Sequence, residues 1–249
     1  MAGHSQFKNI MHRKGAQDKK RARMFSKIAR EITVAAKSGQ LDPAANPRLR
    51  SAIAAARESN MPNDRIKRAI EQANANSADA ANYDEIRYEG YGPGGVAVII
   101  EALTDNRNRT AGDVRLAFTN SGGALGEMNS VSFMFAHVGA ISYSVSVSFD
   151  ILFEAAVEAG ADNVEAAGET LEVTTQVPDF AATREALEVK FGAPLSAGII
   201  WKPANVIPVS GDVAEDLFAL IEALEDLDDV QNVFANFDVD AETMTRLAE

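Results

Sequence analysis

Cysteine is absent from this chain of 249 residues, so disulfide scaffolds, thiolate zinc sites, iron–sulfur clusters and cysteine nucleophiles are excluded together. Histidine is scarce: His4, His12 and His137 are the whole set. Two of them lie in a basic arm that would repel a metal cation, and none falls where a cleft is expected. Neither a metal centre nor a Ser-His-Asp triad is therefore expected. The few aromatic residues are scattered over apolar faces and form no RRM-type signature. No run approaches 18 consecutive apolar residues, which argues against a membrane span. The opening MAGHSQFKNIMHRKG lacks the apolar core of a secretory signal. The expectation is a cytoplasmic protein that needs no cofactor.

What the chain does have is charge, divided unevenly. Overall, 36 acidic residues face 24 Lys and Arg, a net charge of −12. Residues 1–72 hold sixteen basic against six acidic side chains, or +10, and the remainder holds eight against thirty, or −22. A basic module on an acidic body points to a polyanionic partner. The competing reading is a solvated basic face.

The basic part reads as helices. Between residues 15 and 38, Phe25, Ile28, Ala29, Ile32 and Ala36 recur at three- and four-residue steps and make one apolar stripe. Lys20, Arg23, Lys27 and Arg30 fall opposite it, with Lys19 and Lys37 beside them. Ten residues of helix rise about 15 Å, so such a row can follow several phosphates. Asn46-Pro47 opens a second helix as cap and first residue. A third opens near Met61-Pro62 and runs through Ile66, Ala69 and Ile70. Residues 74–82, rich in Ala, Asn, Ser and Asp, read as a linker.

Beyond the linker the period changes. Strands are expected over 84–89, 96–103, 132–136, 140–147, 170–175, 199–202, 206–209 and 233–237. Helices are expected over 110–120, 149–159, 179–191 and 213–227. Strands and helices mix without strict alternation, which favours α+β layers in two small lobes.

Several constellations invite chemistry. The glycine-rich Gly90–Gly95 stretch lacks the lysine and the following helix of a phosphate loop, and reads as a tight hairpin. Glu225-Asp226 and Asp228-Asp229 read as solvated acidic surface rather than acid–base pairs. No enzymatic activity is expected. The exception is Thr104-Asp105-Asn106-Arg107-Asn108-Arg109-Thr110. Arg107, Arg109 and Arg115 are three of only eight basic residues after residue 72. Thr110 is a natural helix cap, but a cap needs no flanking arginines. Arg107 and Arg109 therefore stand as a second contact point for nucleic acid or a partner. The arm 1–14, with Lys8, Arg13 and Lys14, is expected to order on a polyanion.

Gly3-His4-Ser5, Asn9-Ile10, His12-Arg13-Lys14, Asn60-Met61-Pro62 and Arg68-Ala69-Ile70 mark the first part of the chain. Tyr88-Glu89-Gly90-Tyr91-Gly92-Pro93-Gly94-Gly95-Val96, the 104–110 motif, Gly122-Gly123, Leu125-Gly126 and Asp228-Asp229-Val230-Gln231 mark the rest. In these motifs, from end to end, the chain resembles the YebC/PmpR family. It departs from the family pattern at Asn129, where glycine is usual, and at Phe133, where tryptophan is common. The family is usually described as transcriptional regulators, and some relatives, mitochondrial ones included, are linked to translation of proline-rich stretches.

The resemblance implies three domains, with the third interrupting the second. The expected fold is α+β and multidomain: an N-terminal three-helix bundle followed by two small α/β sandwich lobes, one inserted in the other. The expected boundaries are 1–78 for a basic nucleic-acid-binding domain, 79–136 plus 206–249 for a discontinuous α/β domain, and 137–205 for the insert. The leading functional expectation is a non-enzymatic, DNA-binding transcriptional regulator. The alternative is a ribosome-associated translation factor that binds ribosomal RNA. The expected nucleic-acid contacts are Lys8, Arg13, Lys14, Lys19, Lys20, Arg23, Lys27, Arg30, Arg107 and Arg109. A protein partner is expected on the acidic lobes.

Overall fold

Small residues at helical spacing let three helices approach closely. In the computed structural model, which describes residues 17–74, 82–240 and 243, these are α1 (Gln17–Lys37), α2 (Pro47–Glu58) and α3 (Asn63–Asn74). Their shared core is Ile32, Ala35, Ala36, Leu49, Ile53, Ala56, Met61, Ile66 and Ala69, with Phe25 and Ile28 at its edge. Asn46 caps α2 as expected: its Oδ1 accepts from the Leu49 amide at 3.0 Å, and Pro47 takes the first helical position. The buried Asn46 amide also donates to the Ala35 and Gln40 carbonyls, both at 2.8 Å, tying the end of α1 to the start of α2. The arm, with His4, Lys8, His12, Arg13 and Lys14, lies outside the described residues, as do the linker residues 75–81.

The segment AVIIEALT is almost continuously apolar, the mark of a strand buried on both faces. It forms β2 (Ala97–Thr104), which pairs antiparallel with β1 (Asp84–Tyr91) and β9 (Val230–Ala235). The short β3 (Ala124–Leu125) adds to β1, giving the order β3-β1-β2-β9. Val98 and Ile100 face a core built from α4 (Arg107–Asn120) and α7 (Gly211–Glu225), through Val114, Phe118, Leu217 and Ile221. Ala97 and Ile99 face the other way, against Val131, Phe135, Phe234 and Trp201. A parallel pair, β8 (Ile207–Val209) with β10 (Phe237–Val239), closes this lobe.

The chain leaves the first sheet after β3 and returns to it only at β9. Between them lies a second antiparallel sheet, ordered β5-β6-β4-β7. It comprises β4 (Phe135–Ser144), β5 (Asn163–Ala167), β6 (Thr170–Thr175) and β7 (Ser196–Pro203), with α5 (Phe149–Glu158) and α6 (Phe180–Phe191) packed on one face. The fold is thus α+β and multidomain, a helical bundle followed by two sheet-containing α/β lobes, the second interrupting the first. Trp201 joins the lobes, its indole N–H donating to Glu101 at 2.9 Å.

Three local expectations are corrected. β4 is one strand from Phe135, whereas 132–134 form a single 3₁₀ turn; Gly139 sits inside the strand and does not break it. β5 was not expected from the sequence, because NVEAA is a two-sided polar edge strand with one buried residue, Val164. The cap of α4 is Asn106, not Thr110. Asn106 is extended (φ −146°, ψ 93°) and accepts from the Arg109 amide at 3.1 Å, while Thr110 is buried in the first turn. The glycine-rich turn between β1 and β2 is a hairpin turn as expected, with Gly94 and Gly95 at φ 71° and 74°.

Candidate nucleic-acid interface

An acidic sequence at a helix C-terminus is electrostatically unfavourable, because the last carbonyls already carry partial negative charge. Helix α7 ends in this way, with Glu225 followed by Asp226, Asp228 and Asp229. The structure resolves the conflict by bringing cations to it. Arg23 pairs with Asp226. Lys27 Nζ donates to the Glu225 carbonyl at 2.7 Å. Arg30 donates to the carbonyls of Asp228 and of Leu103, the latter at 3.1 Å, and lies 3.2 Å from the Asp229 carboxylate. Three members of the basic row on α1 therefore meet an acidic corner of the same chain. They lie opposite the apolar stripe, as the periodicity requires, and face the middle lobe.

Asp229 is the centre of that corner. Its side chain is almost fully buried and its Oδ2 accepts from Arg109 at 2.7 Å, from the Thr110 hydroxyl at 2.6 Å and from the Thr104 hydroxyl at 3.1 Å. Burial pushes its carboxyl up, but the bonds from Arg109, Thr110 and Thr104 and the charge of Arg30 outweigh that and hold it below the usual carboxylate range. Contrary to the expectation of solvated surface, this carboxylate is interior. Asp226 and Asp228 remain partly exposed. Lys27 shows the opposite balance: burial pulls its ammonium down to about 8, against the attraction of Glu225 and with the help of nearby Arg23.

The 104–110 motif is organised around the same corner. Thr104 and Thr110 hold Asp229, Asn106 caps α4, and Arg109 bridges Asp105 and Asp229, both at 2.7 Å. Arg107 pairs with Asp84 at 2.8 Å and stays two-thirds exposed. Of the residues the sequence singled out, the structure gathers Arg23, Lys27, Arg30 and Arg109 into one seam and leaves Arg107 at its rim. Lys20 is half-buried on α1. Lys19 is in the same helix, its side chain outside the described set, as are Lys8, Arg13 and Lys14.

The other flank of the bundle carries cations that the sequence reading passed over. Arg21 on α1 and Arg65 on α3 approach the half-buried Phe25 ring, their guanidinium carbons 5.8 and 5.6 Å from its centroid. Arg68 stands one helical turn beyond Arg65 and is exposed, as is Met24 beside Arg21. Arg68 pairs with no acidic side chain among the described residues. A signal was available: Arg21 falls four residues before Phe25, on the same face as an aromatic that the apolar stripe alone would bury. Guanidinium groups around a ring suit both phosphate contact and base stacking. Among the described residues no cluster of three His, Asp or Glu is arranged to hold a metal ion, and no helix is long and apolar enough to cross a membrane.

A basic three-helix bundle keyed to a two-lobed α/β body by one buried carboxylate defines the class of protein. The comparisons place it. Residues 5–76 match the family model described as the TACO1/YebC protein N-terminal domain, and residues 83–237 match the TACO1/YebC second and third domain. A crystal structure described as a conserved hypothetical protein, Aq1575, from Aquifex aeolicus is 41% identical, with a TM-score of 0.79 over 88% of this chain and 91% of that one. The chain belongs to the TACO1/YebC family.

Proposed function

We propose that this protein is a non-enzymatic, nucleic-acid-binding regulator of gene expression that holds structured RNA, such as ribosomal RNA, on the outward flank of its helical bundle. The observation that carries the reading is the division of α1 between two flanks. Its Arg23–Lys27–Arg30 side is engaged by the middle lobe, and its apolar side by α2 and α3. What stays outward is Arg21 on α1 and Arg65 on α3 beside Phe25, with exposed Arg68 one turn beyond Arg65. A duplex-reading regulator sets a free helix into the major groove with side chains that reach base edges. Arginines around a ring suit backbone and stacking contacts, which position without specifying a sequence. The same observation weighs against the DNA-binding transcriptional regulator that the family description suggests.

The test offers the full chain purified ribosomes and a genomic duplex library in competition at about 0.15 M salt, the physiological range. The expected result is cosedimentation with ribosomes and no enriched duplex motif. Replacing Arg21, Arg65 and Arg68 together by Glu should reduce that binding tenfold or more and leave the melting temperature unchanged. A duplex motif enriched about 10³-fold over random DNA would restore the transcriptional reading.

A further inference from the structure

Helices α5 and α6 close the same core of the inserted lobe, yet their outward sides differ. The outward side of α6 meets the bundle: Glu185 faces Arg50 at 3.3 Å, and Arg184 faces Glu58 at 3.5 Å. The outward side of α5 makes no such ion pair with another element among the described residues. Its sequence FDILFEAAVE buries Leu152, Ala155 and Ala156, which satisfies the core. Four large apolar side chains are left over: Phe149, Ile151, Phe153 and Val157 are 41, 51, 43 and 52% exposed. Phe149, Phe153 and Val157 follow at four-residue steps and form one stripe along the helix, about 12 Å long. The Phe149 and Phe153 rings stack, with centroids 6.0 Å apart. Single exposed apolar residues are ordinary, but a contiguous stripe with stacked aromatics marks an interaction surface.

The charge beside the stripe selects the occupant. Asp150, Glu154 and Glu158 run parallel to it, all exposed, and the helix holds no basic residue. They sit within a segment that is −22 overall. We propose that α5 is the docking surface for a basic amphipathic helix of a partner protein. Such a helix lays an apolar edge on Phe149, Phe153 and Val157 and sets Lys or Arg against Asp150, Glu154 and Glu158. The proposal does not rest on the nucleic-acid reading, because α5 belongs to the inserted lobe and shares no residue with the Arg21–Phe25–Arg65 flank.

The test uses the full chain and three labelled synthetic 18-residue peptides, read by fluorescence anisotropy. One places Leu at helical spacing among Lys and Ala, one has the same composition scrambled, and one replaces every Lys by Glu. The first should bind with a Kd on the order of 10 µM, in keeping with a contact below the standard interface size. The other two should bind at least tenfold more weakly. Phe149→Ser with Phe153→Ser should weaken the first peptide tenfold or more. Asp150→Lys with Glu154→Lys and Glu158→Lys should do the same and admit the Glu peptide. Both sets are exposed, and unchanged melting curves verify that the variants fold. Ribosome cosedimentation should be unaffected, which separates this proposal from the previous one. Equal binding of the scrambled peptide, or undiminished binding by the serine variant, would overturn the assignment. So would self-association of the chain that the serine variant abolishes, since the occupant would then be a second copy.

Discussion

Arg30 and Asp229, 199 positions apart, face each other at 3.2 Å with both side chains largely withdrawn from solvent. This pair joins the basic bundle to the acidic body, and Arg109, Thr104 and Thr110 complete the shell around the carboxylate. A buried carboxylate with such partners is costly to disturb from either side, because the groups left behind keep their desolvation penalty.

Asp229→Asn should therefore destabilise the protein by about 2 kcal/mol, the scale of hydrogen bonds to a charged group. Arg107→Ala, which removes only a rim pair with Asp84, should leave the denaturant midpoint unchanged. Equilibrium unfolding of both variants checks the contrast. Equal losses would mean that the corner is no more than surface charge.

Acid should open the seam. The carboxyls of Asp229 and Glu89 are both held below their usual range. For Glu89, burial raises the value, and amide donors at Val131 and Ser132, 2.9 and 2.8 Å away, outweigh it together with Arg87. A folded-state value below the unfolded one means that the stabilisation is complete above about pH 4–4.5, the unfolded range, and is lost as pH falls through the folded values. Unfolding midpoints between pH 7 and 3 should fall more gently for Asp229→Asn than for the parent chain.

Lys27 should produce a slope of the same sign in a second window, at the alkaline end. Its folded value of about 8 lies below the ordinary 10.5. Between those values the unfolded chain binds more protons, so stability rises with pH there, and below pH 8 the full cost of the desolvated charge is present. Lys27→Met keeps the alkyl stem and removes that charge. Its stability relative to the parent should be most favourable at pH 7 and should decline steadily to pH 10. A difference that is constant across pH would show that Lys27 titrates as if exposed.

Gly139 lies inside β4 against the start of α6. A Cβ there would fall 2.4 Å from the Thr175 hydroxyl and 2.6 Å from the Phe180 ring. Gly139→Ala should cost about 1–3 kcal/mol through overpacking, measurable as a lower thermal midpoint. Gly198→Ala on β7, where a Cβ meets nothing within 4 Å, is the control and should be near neutral.

Where a property depends on near neighbours in the chain, the sequence carried most of it, the missed edge strand β5 and the Asn106 cap of α4 being the exceptions. The apolar period of α1, the Asn46-Pro47 start of α2, the doubly buried run of β2 and the reversal of charge after residue 72 all follow from local spacing and composition. The family could be identified from motifs for the same reason. Asn129 in place of the usual glycine is compatible with its backbone, because its φ of 68° lies in the left-handed region that asparagine tolerates. Only tertiary structure decided what the charges do. Periodicity places Arg23, Lys27 and Arg30 on one face of a helix, but it carries no information about residues 225–229, some 200 positions away. Opposite charges on distant segments attract without a sequence signature of their meeting. Their pairing is chosen by how the apolar faces of α1, β2 and α7 come together, and that choice turned a basic row into a seam and left Arg21, Arg65 and Arg68 facing out.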